Sequence, residues 1–223
     1  ETVAALRDVG MGLQTSLTNS AITINPGQIR VADSVKYALV AKGFSFSADY
    51  AEATTGPDNP YSVALAYTGG PFWAGIAYEN PTGSEDNLLN VGARYTFGTV
   101  TLSGGYTTGD TQPFTATLAP GVSFAIPTQK LKAWLVGANI AVGVGDIKVG
   151  YADNKVGSRK ISERFGIGYH YNLSKRTKLY IDYAHDSKGF NGAFFDPRLV
   201  NAAAFNDLRN EKDGYDIGIQ HNF

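Results

Sequence analysis

The sequence has no cysteine and a single methionine. Without thiols there is no disulfide framework, no thiolate metal site and no cysteine nucleophile. Charge is scarce too: charged residues make up 17% of the 223, below the roughly 25% of a soluble domain. The two signs nearly cancel, with 19 Lys and Arg against 20 Asp and Glu. That balance removes the strongly basic face a nucleic-acid binder needs. No apolar run approaches the length of a transmembrane helix. The first residue is Glu1, which reads as the start of a processed or incomplete chain. Against these shortages stand 13 Tyr, 12 Phe and 26 Gly.

The abundant residues fall into a period of two, the mark of strands with two unlike faces. Phe44, Phe46, Ala48 and Tyr50 alternate with Ser45, Ser47 and Asp49. Val91, Ala93, Tyr95 and Phe97 oppose Asn90, Gly92, Arg94 and Thr96. Phe165, Ile167, Tyr169 and Tyr171 oppose Arg164, Gly166, Gly168 and His170. Eleven such segments follow one another: 30–40, 44–52, 61–68, 71–79, 88–97, 99–107, 130–142, 146–153, 163–172, 177–185 and 213–223. No helical period follows residue 12, so the chain is read as all-β.

Connections alternate between short (41–43, 69–70, 98, 143–145, 173–176) and long (53–60, 80–87, 108–129, 154–162, 186–212). Short turns at one rim and long loops at the other characterise a transmembrane antiparallel β-barrel. With the short turns placed low, the aromatics of the apolar face gather at strand ends. Phe44, Tyr67, Phe72, Tyr95, Tyr169 and Tyr171 are low; Tyr50, Tyr61, Tyr78, Tyr106, Tyr151, Tyr183 and Tyr215 are high. Two such belts match the interfacial girdles of an outer-membrane barrel. Lys130 and Lys132 share the parity of Trp134 and are read as lying above the apolar band, among anionic headgroups.

The opposite face carries Lys36, Asp49, Glu79, Arg94, Lys148, Arg164, His170, Lys178, Asp182 and Asp216. A closed barrel can span lipid, and a charged inner face must then be wet. Gly92, Gly104, Gly105, Gly150, Gly166, Gly168 and Gly218 are read as small lumenal residues that leave a wide bore.

Three stretches resemble the general, trimeric porins of Gram-negative outer membranes, of the Comamonas, Burkholderia and Neisseria type. Gly168–Tyr180 contains Tyr171-Asn172-Leu173-Ser174-Lys175-Arg176-Thr177 and is similar to that family's turn before the last hairpin. Gly218–Phe223 is similar to its C-terminus, where the resemblance implies that Phe223 is read by the assembly machinery. Gly27–Tyr37 is similar to the strand after its inward-folded loop. The resemblance implies a sixteen-stranded barrel with these eleven segments as strands six to sixteen, the N-terminal strands absent. The other open reading is a complete barrel of about twelve strands, the twelfth hidden in 13–24. Under the sixteen-stranded reading residues 1–29 are part of the constriction loop, and 30–223 the barrel, with long external loops at 108–129 and 186–212. Glu1, Arg7, Asp8 and Arg30 are the implied constriction candidates.

The function implied is passive diffusion of small hydrophilic solutes through a water-filled homotrimeric channel, with lipopolysaccharide around it and no cofactor. Two other readings stand beside it. A barrel enzyme would need His170, His185 or His221 as base, and none falls in a hydrolase signature. A soluble β-sandwich binding module would be monomeric without detergent. Asp110, Asp153, Asp186, Asp196, Asp207 and Asp213 lack the spacing of a calcium cage, and no metal is expected.

Overall fold

The computed structural model describes residues 33–52, 59–80, 87–110, 114–119, 122–188 and 212–222. It contains thirteen strands: β1 (Ser34–Ala41), β2 (Phe44–Ala51), β3 (Tyr61–Gly69), β4 (Phe72–Asn80), β5 (Asn87–Phe97), β6 (Val100–Asp110), β7 (Phe114–Ala119), β8 (Val122–Ile126), β9 (Lys130–Val142), β10 (Gly145–Val156), β11 (Arg159–Asn172), β12 (Thr177–Asp186) and β13 (Asp213–His221). Eleven of them form one antiparallel sheet in the order β1-β2-β3-β4-β5-β6-β9-β10-β11-β12-β13. Every neighbour in that sheet is the next strand along the chain except where the small β7–β8 hairpin intervenes. No helix among the described residues is long and apolar enough to cross a membrane.

The eleven segments read from the alternation are these eleven strands, their ends moved by a few residues. Two connections differ from expectation. The stretch 154–162 is not a long loop: β10 and β11 run on past it as a paired ladder, closed by Gly157 and Ser158. Gly157 takes φ 59°, the left-handed turn conformation that glycine adopts without a Cβ clash. The register shift opposite Asn154/Lys155 leaves Ile161 of β11 without a partner and breaks the alternation of that strand, which hid its first residues. The stretch 108–129 begins with the last residues of β6 and then holds the β7–β8 hairpin.

The lower turns follow from local chemistry. Lys42 and Gly43 both have positive φ, 49° and 84°, the two-residue turn whose twist matches a hairpin. Between β11 and β12 the Ser174 hydroxyl accepts the amides of Arg176 at 3.1 Å and Thr177 at 3.0 Å. That side chain reinforces the turn's backbone bonds, from the Ser174 amide to the Thr177 carbonyl at 3.0 Å and from the Thr177 amide to the Ser174 carbonyl at 3.4 Å.

Side-chain parity separates two surfaces. One parity is exposed and apolar, with Leu65, Ile76, Val91, Leu102, Val136, Ile167 and Ile181 flanked by Tyr61, Tyr67, Tyr78, Tyr95 and Tyr106. Aromatic neighbours pair across strands within both belts: Phe44 with Tyr67 at 4.8 Å below, Trp134 with Tyr151 at 5.2 Å above. A soluble sheet would hide such a face against a second layer, yet here it stays open, as a lipid-facing surface does. The other parity, called the inner face below, is largely buried. It carries Ala, Gly and most of the charged side chains. Gly104 departs from expectation, since it sits between Leu102 and Tyr106 on the outer parity. The strand has two glycines in succession, so small size alone could not tell the faces apart.

Candidate functional site

Register assembles the inner face into rows that cross the sheet. The uppermost runs Lys36, Asp49, Ser62, Glu79, Leu88, Gly109, Leu131, Val156. Lower rows bring together residues far apart in the chain. One runs Ala66, Gly75, Gly92, Gly105, Leu135, Ala152, Arg164, Asp186. Below it lie Trp73, Arg94, Ser103, Gly137, Gly150, Gly166 and Ala184. The next holds Thr96, Thr101, Asn139, Lys148, Gly168, Asp182 and Asp216. All nine lumenal candidates (Lys36, Asp49, Glu79, Arg94, Lys148, Arg164, Lys178, Asp182, Asp216) lie on this inner parity. Glu1, Arg7, Asp8, Arg30 and Phe223 lie outside the described residues, as do Asp196 and Asp207.

On β10–β13 the charges engage one another. Asp186 is fully buried and accepts from the Ser162 hydroxyl at 2.5 Å, the Glu163 amide at 3.1 Å, the Lys188 amide at 3.0 Å and the Arg164 guanidinium at 3.4 Å. Arg164, 4% exposed, is held opposite it in register. Two to three rows further down, the His170 imidazole Nε2 meets Asp182 Oδ1 at 3.1 Å, both groups 1% exposed. Tyr180 lies against the His170 ring at 5.8 Å and over the bare backbone of Gly218, where a Cβ would meet its phenol. Lys148 lies in the field of Asp146, Lys178 and Asp182. Buried charges must be paired in this way, because each costs several kcal/mol to remove from water.

On β4 and β5 the arrangement differs. Trp73 faces inward and packs against the buried cluster that holds Ala64, Ala77 and Leu88. Arg94, its partner in register, places its guanidinium over the indole at 6.0 Å. Arg94 is exposed, and its register neighbours Trp73 and Ser103 carry no charge. Asp49 and Glu79 share a row at the upper ends of their strands, six residues beyond Trp73, about 20 Å at strand rise. Sequence reasoning missed Trp73 because Phe72 and Trp73 are adjacent and only one could face out. The outward parity of Ile76 and Tyr78 was the available signal. It also missed Leu88, Leu131 and Leu135, apolar residues buried on the inner face.

The outer face above the upper girdle carries its own ion pairs. Lys130 meets Asp110 at 2.7 Å, and Asn87 donates to the same carboxylate at 3.1 Å. Lys160 bridges Asp153 at 2.6 Å and Glu163 at 3.2 Å. Glu163 also accepts from Tyr151 at 2.6 Å and Ser187 at 2.8 Å. His185 meets Asp213 at 2.8 Å. Lys130 and Lys132 are both exposed on the outer parity above Trp134. Four of the six aspartates weighed for cations thus have internal partners. Among the described residues no group of three or more acids or histidines could hold a metal.

With that geometry in view, comparison with known proteins decides the family. The Gram-negative porin family model matches residues 3–190. The chain belongs to the Gram-negative porins. That family resides in the outer membrane, and the exposed aromatic belts suit it. Among solved structures this porin chain is similar to a porin refined at 1.8 Å, with TM-score 0.63, 18% identity, 88% of this chain covered and 64% of that one. It is similar to the anion-selective porin from Comamonas acidovorans, with TM-score 0.59, 21% identity and coverage of 85% and 59%. It is similar to Salmonella typhi OmpF in complex with daunomycin, with TM-score 0.61, 16% identity and coverage of 85% and 61%. At those identities the likeness establishes the fold. The chain spans about three fifths of the length of these porins. No curated protein matches it.

Proposed function

We propose that this chain forms a water-filled outer-membrane channel through which small hydrophilic solutes and ions diffuse passively. The observation that carries the reading is the division of one continuous sheet into an exposed apolar, aromatic-belted face and an inner face bearing nine charged candidates. Lipid suits the first and water the second. Selection in such a channel comes from size at the narrowest point and from charge along the wall. The porin assembles as a homotrimer among lipopolysaccharide, the assembly machinery reads Phe223, and Glu1, Arg7, Asp8 and Arg30 contribute to the constriction.

The channel performs no chemistry. His170 with Asp182 has the outline of a base and its orienter, but the remaining ring nitrogen, Nδ1, is buried and meets no hydroxyl among the described residues. Among the described residues no nucleophile stands in reach of the pair, which supports a channel without acyl or phosphoryl chemistry. The test is conductance: native protein purified in detergent should give discrete ion steps in a planar bilayer, and a protein that folds yet gives none would overturn the reading.

A further inference from the structure

We propose that Trp73 and Arg94 form a binding subsite on the inner wall for small aromatic carboxylates. The inference rests on the channel reading, since the inner face must be open to solutes.

Three observations carry it. The first is layering. Gly75 and Gly92 occupy the row above Trp73 and Arg94 and supply no side chains. The indole packs against the cluster of Ala64 and Ala77, one row further up. It therefore lies along the glycine floor, with the guanidinium over its face at 6.0 Å. Contact with a ring face orients a guanidinium while leaving its edge free.

The second is unspent donors. Among the described residues neither the Arg94 guanidinium nor the Trp73 indole N–H has a hydrogen-bond acceptor. The guanidinium and the indole N–H donate and never accept, so both are suited to an anion. A carboxylate fits the guanidinium edge with two parallel bonds.

The third is the absence of internal competition. Arg164 is committed to Asp186, and Lys148 lies in the field of Asp146 and Asp182. No acid stands in the rows of β4–β6 around Arg94, which hold Gly75, Gly92, Gly105, Ser103, Thr96 and Thr101. The half-exposed indole beside an open guanidinium adds an apolar surface, so a ring attached to the carboxylate gains contact that acetate does not.

The experiment uses the full native protein carrying Trp134→Phe, with any tryptophan outside these 223 residues also replaced by Phe, so that Trp73 is the remaining indole. Benzoate, cyclohexanecarboxylate, acetate and benzylamine are titrated against the indole fluorescence in detergent, and then against single-channel current in potassium chloride. Benzoate should change the fluorescence and interrupt the current, acetate and benzylamine should do neither, and cyclohexanecarboxylate should bind more weakly than benzoate. Arg94→Ala should weaken benzoate by at least about tenfold, and Arg94→Lys should recover only part of it. Trp73→Leu, confirmed as folded by heat-modifiable migration, should abolish the current interruptions. Benzoate acting no more strongly than acetate, or Arg94→Ala retaining benzoate within about twofold, overturns the subsite while ion steps keep the channel reading intact. Fluorescence binding without ion steps does the reverse, sustaining the subsite and removing the channel.

Discussion

On β11 and β12 the buried inward ionisable side chains pair with one another, Arg164 with Asp186 and His170 with Asp182. On β4 and β5, in the same sheet, Arg94 meets an indole and no acid. The difference tracks exposure. Asp186 is 0% and Arg164 4% exposed, and a charge so far from water needs a partner. Arg94 keeps its hydration and needs none, which leaves its donors available to a passing anion. Pairing marks the part of the wall that holds the sheet together; under the proposed channel function its absence marks the part that meets solute.

The sharpest way to break the paired wall is Asp186→Ala. It removes an acceptor that serves two side chains and two amides and leaves Arg164 buried without its carboxylate. A loss of about 3–5 kcal/mol is expected. It is read as a lower temperature for the heat-modifiable shift of the folded barrel on gels, and an unchanged shift temperature would dissolve the contrast. Asp182→Ala strips His170 of its only hydrogen-bonded partner among the described residues. The expected cost is smaller, about 1–3 kcal/mol, measured in the same way.

A third substitution converts one region into the other. Ser103 faces Arg94 in register, so Ser103→Asp gives the free guanidinium a cross-strand carboxylate. Stability should rise or hold within about 1 kcal/mol, and benzoate should lose its effect on the current. If benzoate still acts, the guanidinium is not what holds it. The smallest expected effect is that of Arg94→Ala on stability, within about 0.5 kcal/mol. A large destabilisation would mean that Arg94 is structural, and that the two regions do not differ in kind.

The outer rim repeats the lesson at lower stakes. The Lys130 side chain is 67% exposed and paired with Asp110. An exposed pair of this sort contributes under about 1 kcal/mol.

Much of this molecule can be read from alternation alone. Eleven sheet strands, the face each residue takes and the two heights of the aromatics follow from a backbone that turns every successive side chain to the opposite side. Where two residues of one character stand together, as Phe72 and Trp73 or Gly104 and Gly105 do, residue type alone does not choose between the faces: Phe72 and Gly105 lie where expected, Gly104 does not, and the alternation assigns Trp73 no face. The extra residue Ile161 hid the start of β11 because it interrupts the alternation of that strand.

The sequence by itself determined where most of the sheet strands lie and the chemistry of each face, because both are local properties of a pleated chain. Only the tertiary structure decided which charges meet. Arg164 and Asp186 are separated by 22 residues, and Thr177 and His221 by 44. Such meetings depend on register, and register is set by every turn and bulge between the two strands. Trp73 and Arg94 are neighbours for that reason and no other.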